Sequence, residues 1–155
     1  MARKVFISFL GASFYSKCYY GKENYFGEGL HFKSSESRFV QQATLEYLDT
    51  NNWKDTDAAY ILLTGRAKEL NWNESIKNKK NPRTQQEEEY IGLERIIDDM
   101  NLPFDVKPID IPDEKGENEI WEIFKILISD DADDGEPIIR EDDELYFDLT
   151  HGYRY

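Results

Sequence analysis

Apolar positions follow two different rhythms along this chain, and the changes between them outline its elements. "KVFISFLG", Lys4 to Gly11, and "AAYILLTG", Ala58 to Gly65, are nearly continuous runs of aliphatic and aromatic residues, each closed by glycine. Such runs read as strands buried on both faces, the condition of neighbouring parallel strands. Between them Phe39, Val40, Ala43, Leu45, Tyr47 and Leu48 recur near helical spacing. This predicts a helix from about Glu36 to Asp49, capped by Ser34, Ser35 or Ser37. The stretch "YSKCYYGKENYFGEGLHFK" separates that helix from the first strand, and its short aromatic runs around "GKEN" and "GEG" predict an inserted hairpin or aromatic loop.

After Gly65, "RAKELNWNESIKNKK" has only Leu70, Trp72 and Ile76 as apolar anchors, and predicts a short helix fading into the basic loop "KNKKNPR". A further helix is expected over "TQQEEEYIGLERIIDDM". Thr84 would cap it, Glu87 would complete a capping box, and Tyr90, Ile91, Leu93, Ile96, Ile97 and Met100 would share one side. "PFDVKPIDIP" alternates like a strand whose prolines keep it short or at an edge. "NEIWEIFKILI" reads as a helix packing Ile120, Trp121, Phe124, Ile126, Leu127 and Ile128, and "SDDADDGEPIIREDDE" as an acidic, solvated loop. That loop lacks the calcium-loop spacing and its closing bidentate glutamate. "ELYFDLT" supplies a last, largely apolar strand. The series strand, helix, strand, helices, strand, helix, strand is that of an α/β protein. The expected fold is a Rossmann-like, doubly wound, mostly parallel sheet with helices on both faces and the aromatic insert after the first strand.

Composition narrows the partners. A chain of 155 residues is the size of one domain, so residues 1–155 are expected to fold as a single unit. A formal charge of -13 with no lysine or arginine stripe disfavours a duplex nucleic acid as partner, yet leaves room for a small anion held by backbone N–H groups. Cys18 is the only cysteine, which excludes an intramolecular disulfide framework and a cysteine-rich zinc site. No apolar run nears the ~20 residues of a membrane span, so the expectation is a cytoplasmic protein with no membrane partner. The chain shows neither GxGxxG nor the phosphate loop ending in Gly-Lys-Ser/Thr, so ordinary NAD or ATP chemistry is disfavoured. No cofactor or metal is expected.

In open α/β sheets ligands bind beyond the carboxyl ends of the strands. That rule selects "SFLGASFY", "LTGRA" and "DLTHGYRY", each of which joins a small hydroxyl residue to glycine: Ser8, Gly11 and Ser13; Thr64 and Gly65; Thr150 and Gly152. Glycine admits close backbone approach and hydroxyls donate to phosphate or ribose. Arg66 and Arg154 follow two of these turns and either meet the ligand or are ordinary surface residues. His151 is a general base, a phosphate contact or a loop histidine bonding backbone. Asp148, set among apolar residues, is expected to brace the turn after it. The aromatic insert, with Tyr15, Tyr19, Tyr20, Tyr25 and Phe26, stacks bases, covers a dimer face or covers the sheet edge.

"DLTHG", Asp148 to Gly152, resembles the Asp-x-Thr-His-Gly signature of a family of CRISPR-associated proteins. "ISFLGASFYSKCYY" with "SRFVQQATLEYL" is similar to that family's first strand, insert and first helix, and "YILLTGRA" to its second strand and loop. The resemblance implies a CARF domain, the Rossmann-like sensor of type III CRISPR systems, which forms a homodimer and binds cyclic tetra- or hexa-adenylate across the two-fold axis. It further implies a ligand site built from Ser8, Leu10, Gly11, Ala12 and Ser13 after the first strand and from Thr150, His151, Gly152, Tyr153 and Arg154 after the last. Family members continue into an effector, often a HEPN ribonuclease, whose Arg-x-x-x-x-His motif is not found here. The implied object is therefore a sensor fragment lacking its C-terminal effector domain, a truncated form or a shortened member. Two other functions stand beside the sensor. One is a metal-independent ring nuclease, with Ser8, Ser13, Thr150, His151 and Arg154 as candidates and Ser13 and His151 foremost. The other is a scaffold that binds protein and no nucleotide.

Overall fold

The computed structural model describes residues 2–23, 30–73, 77–112, 117–129, 135, 137–148 and 150. In chain order the elements are β1 (Lys4–Leu10), the hairpin strands β2 (Gly21–Glu23) and β3 (Leu30–Lys33), helix α1 (Val40–Tyr47), and β4 (Ala58–Leu63). They continue with the one-turn helix α2 (Gly65–Ala67), β5 (Lys77–Lys80), β6 (Glu87–Tyr90), α3 (Leu93–Asp99), β7 (Val106–Asp110), α4 (Glu117–Ile128) and β8 (Glu144–Asp148).

Four strands form one sheet in the order β7-β4-β1-β8, and every pair within it is parallel. The chain steps outward from β1 through β4 to β7, then returns to add β8 on the other side of β1. This reversal makes the sheet doubly wound and gives an α/β, Rossmann-like fold. Its two faces carry separate cores, which explains why β1 and β4 are apolar at almost every position. Phe6, Leu10, Ile61 and Leu63 pack with Phe39, Leu45, Leu93 and Ile97 on the α1 and α3 side. Val5, Ile7, Tyr60 and Leu62 meet Ile123 and Leu127 of α4 on the other. Ile138, from the acidic connection before β8, is fully buried there and anchors that segment. β7 is an edge strand, and Pro108 sits in it where an edge tolerates the missing N–H. The insert forms the antiparallel pair β2–β3, as its sequence predicts; Tyr25 and Phe26 lie outside the described residues.

Three expectations need correction. The first helix begins at Val40, with Phe39 at its N-cap and no side-chain cap. The serines are engaged elsewhere: Ser37 pairs its backbone with Cys18, and Ser34 Oγ accepts from Tyr20 N at 2.9 Å. They fasten the insert and cap nothing. The helix expected over residues 84–100 is β6 followed by the shorter α3, because β6 pairs antiparallel with the basic stretch that reads as a loop. Lys79 stands opposite Glu88 and Lys80 opposite Glu87, cross-strand partners of opposite charge, so pairing overrides the helical propensity of glutamate. Lastly, among the described side chains of α4, Ile123 and Leu127 are buried and Ile126 packs partly buried against the same core, but not all the apolar residues expected to pack do so. Trp121, Phe124 and Ile128 form an exposed stripe, 57%, 52% and 67% accessible.

Candidate ligand site at the reversal of strand order

Because β1, β4 and β8 run parallel, the loops after them leave the same edge of the sheet. β1 and β8 are the pair between which the strand order reverses. That position leaves a crevice in doubly wound sheets, since the connections from the two strands depart to opposite faces.

A buried polar chain spans the β1–β8 seam. Ser8 and Asp148 face one another in register, and the Ser8 hydroxyl donates to Asp148 Oδ2 at 2.7 Å. Gln41, the second residue of α1, donates from Nε2 to Ser8 Oγ at 3.1 Å and to the carbonyl of Phe9 at 2.9 Å. Ser8 and Gln41 are wholly inaccessible and Asp148 is 9% exposed. The other carboxylate oxygen of Asp148 turns toward the loop: Oδ1 accepts from the Thr150 N–H at 3.0 Å and from the Thr150 hydroxyl. Asp148 thus links the sheet interior to the first described residue of the last loop. Gln41 Oε1 is buried and has no hydrogen-bond partner among the described residues.

The loop after β1 is tied down from beneath by two buried side chains. Asn71 Nδ2 donates to the carbonyls of Gly11 at 2.7 Å and Ser13 at 3.0 Å, while Arg38 donates to Tyr15 O at 3.0 Å. Asn71 Oδ1 accepts from the Tyr90 hydroxyl. Burial pushes the Tyr90 phenol above its ordinary pKa, so it stays a donor. Arg38 lies over the rings of Phe14 and Tyr90 and pairs with Glu88 at 3.0 Å. The hydrogen bonds from Asn81 and then Arg38 hold the Glu88 carboxyl below its usual range.

Of the residues expected at the site, Ser8 and Leu10 are buried, Gly11 and Ala12 are half-buried and Ser13 is exposed. Thr64 caps α2, accepting from Ala67 N at 3.2 Å, with Gly65 and Arg66 exposed beside it. Thr150 is exposed. His151, Gly152, Tyr153 and Arg154 lie outside the described residues. Sequence reasoning missed Gln41, Asn71, Arg38 and Tyr90. Gln41 left a signal, since it stands four residues before Leu45 and seven before Leu48, on the helix's apolar side. Asn71 left none.

Several cavities open among the described residues. One of about 720 Å³ opens at the opposite end of the sheet beside Lys4, Trp53, Asp57 and Arg140. Its groups serve the fold: Arg3 pairs with Asp143 at 2.7 Å, and Asp57 accepts from the N–H groups of Lys4 and Lys54. Another, of about 340 Å³, lies between Lys17, Arg38 and α3. Among the described residues no helix is long and apolar enough to cross a membrane. Set against protein-family models, curated proteins and solved structures, the chain finds no match in any of the three.

Proposed function

We propose that the chain is a cyclic oligoadenylate-binding sensor domain of the CARF kind, cytoplasmic, working in type III CRISPR antiviral defence. In this reading two copies related by a two-fold axis hold one ring between the same loops of each protomer. The ring shifts the pair between states and so gates an effector domain. The observation that carries the reading is the position of "DLTHG". Its Asp148 is bonded to Ser8 across the seam where the strand order reverses, and it holds Thr150, the residue that precedes His151 and Gly152 in sequence. A symmetric ligand suits loops contributed twice. The exposed stripe of α4, with Leu145 and Phe147 of β8, suits a face covered by another chain.

Ring cleavage is the enzymatic alternative. A ribose 2′-oxygen would attack the adjacent phosphate, expelling the 5′-oxygen, and the protein would contribute orientation and charge stabilisation. Exposed Ser13, whose hydroxyl makes no hydrogen bond among the described residues, suits that stabilising role better than Ser8, whose hydroxyl is buried and bonded to Asp148. A protein-binding scaffold is the remaining alternative, favoured by the same apolar stripe.

Calorimetric titration with cyclic tetra-adenylate and cyclic hexa-adenylate, with linear tetra-adenylate as control, tests the proposal. Saturable binding near one ring per two chains supports the sensor, and chromatography of the recovered ligand separates intact from cleaved rings. Failure of a folded protein to bind either ring removes both nucleotide readings and leaves the scaffold.

A further inference from the structure

The loop after β1 treats its carbonyl and amide groups unequally. The carbonyls of Gly11, Ser13 and Tyr15 all accept from Asn71 or Arg38. These donors are buried, 1% and 4% exposed, so the three carbonyls point into the protein. Every described peptide bond is trans, and in a trans peptide the N–H points opposite to the C=O. The amides sharing those peptides belong to Ala12, Phe14 and Ser16, and they point away from Asn71 and Arg38. No acceptor for any of the three exists among the described residues. The outward direction is set one layer deeper still. The Tyr90 hydroxyl occupies Asn71 Oδ1, which leaves Asn71 only its Nδ2 to turn toward the loop.

We infer that this segment is an oxyanion cradle, in which the main-chain amides of Ala12, Phe14 and Ser16 receive phosphate oxygens and Asn71, Arg38 and Tyr90 are positioning residues. The inference rests on the sensor reading for its location and adds the chemistry of recognition. A chain of charge -13 takes an anion here through neutral, fixed N–H dipoles. Because the donors are backbone, the cradle reads charge and shape and not base identity. Asn71 sets its geometry without touching the ligand.

The test uses the full chain, labelled with 15N and titrated separately with inorganic pyrophosphate, cyclic tetra-adenylate and cyclic hexa-adenylate. The expected result is a saturable downfield shift of the Ala12, Phe14 and Ser16 amide signals. Asn71→Asp keeps the acceptor for Tyr90 but loses both donors to the loop. It should weaken the titration about tenfold, the equivalent of one lost hydrogen bond, and speed hydrogen exchange in residues 12–16 while β4 exchanges as before. Tyr90→Phe should act in the same direction and carries the test if Asn71→Asp does not fold. Amide signals that stay still with all three probes, or that titrate equally in wild type and variants, overturn the inference. Shifts with pyrophosphate but with neither ring uphold the cradle and remove the cyclic ligand. Rings that bind in calorimetry without moving these amides uphold the sensor and remove the cradle.

Discussion

Ser8 and Asp148 are 140 residues apart in sequence and share a 2.7 Å hydrogen bond at the carboxyl end of the β1–β8 seam. Ser8→Ala removes the donor from a buried carboxylate oxygen and one acceptor from Gln41. The expected cost is about 1–3 kcal/mol of folding stability, read by urea denaturation. Ligand affinity should fall only as far as the Thr150 loop loosens, so a variant of unchanged stability would contradict the assigned bond.

Acid should weaken the other end of the sheet. Burial alone would raise the Asp143 pKa, but the Arg3 side-chain bonds and the Arg140 N–H outweigh it and hold the carboxyl below the ordinary carboxylate range. A folded-state pKa below the unfolded one contributes stability at full strength above the ordinary carboxylate range, and that stability is lost as pH falls toward the folded value. Asp143→Asn should therefore cost about 1–3 kcal/mol at pH 7 and give a flatter melting-temperature profile below pH 4 than wild type. Parallel profiles for the two proteins would remove the pair as a source of acid sensitivity.

Two glycines make opposite predictions. A Cβ on Gly92, at the start of α3, would lie 1.8 Å from the Asn73 carbonyl oxygen, a backbone atom that cannot swing away. Gly92→Ala should cost at least about 3 kcal/mol or prevent folding. A Cβ on Gly65 meets nothing within 4 Å. Gly65→Ala in the first turn of α2 should leave the melting temperature unchanged or raise it, through about 0.4–1 kcal/mol of reduced unfolded-chain entropy. Any loss of ring binding in Gly65→Ala then reports on the ligand and not on the fold.

Trp121 and Phe124 lie side by side on the exposed stripe of α4, their ring centroids 6.0 Å apart and their planes tilted by 50°. The double change Trp121→Glu, Phe124→Glu alters surface positions, so the monomer's stability should move by no more than about 0.5 kcal/mol per site. If the stripe covers a second copy, light scattering should show the pair dissociating. A dimer indifferent to both charges would send the two-fold axis to another face.

Much of the architecture was legible because burial on both faces leaves an unambiguous trace. The runs Val5–Ile7 and Ala59–Leu63 are apolar without alternation, which only a sandwiched parallel strand requires, and Pro108 marks an edge for a chemical reason. The stretch Glu87–Tyr90 was misread because nothing local distinguishes a charged helix from a charged strand; its partner Lys77–Lys80 and the buried Arg38 decide it from outside. The bracing role of Asp148 was readable from a carboxylate stranded in an apolar run. Asn71 was not, since its importance lies in two carbonyls roughly sixty residues away, and side-chain recognition of backbone leaves no pattern in residue types.

The central position of β1 also sets an order of events in synthesis. Its partner β4 follows closely enough to pair early, but β8 emerges about 80 residues later, an interval of about 4–16 s at ordinary translation rates. Through that interval one flank of the nascent β1 is an open, apolar edge of the kind that attracts chaperones or other nascent chains. The seam where Ser8 meets Asp148 is thus among the last parts of the sheet to close, and ligand binding there would report that β8 has found its place.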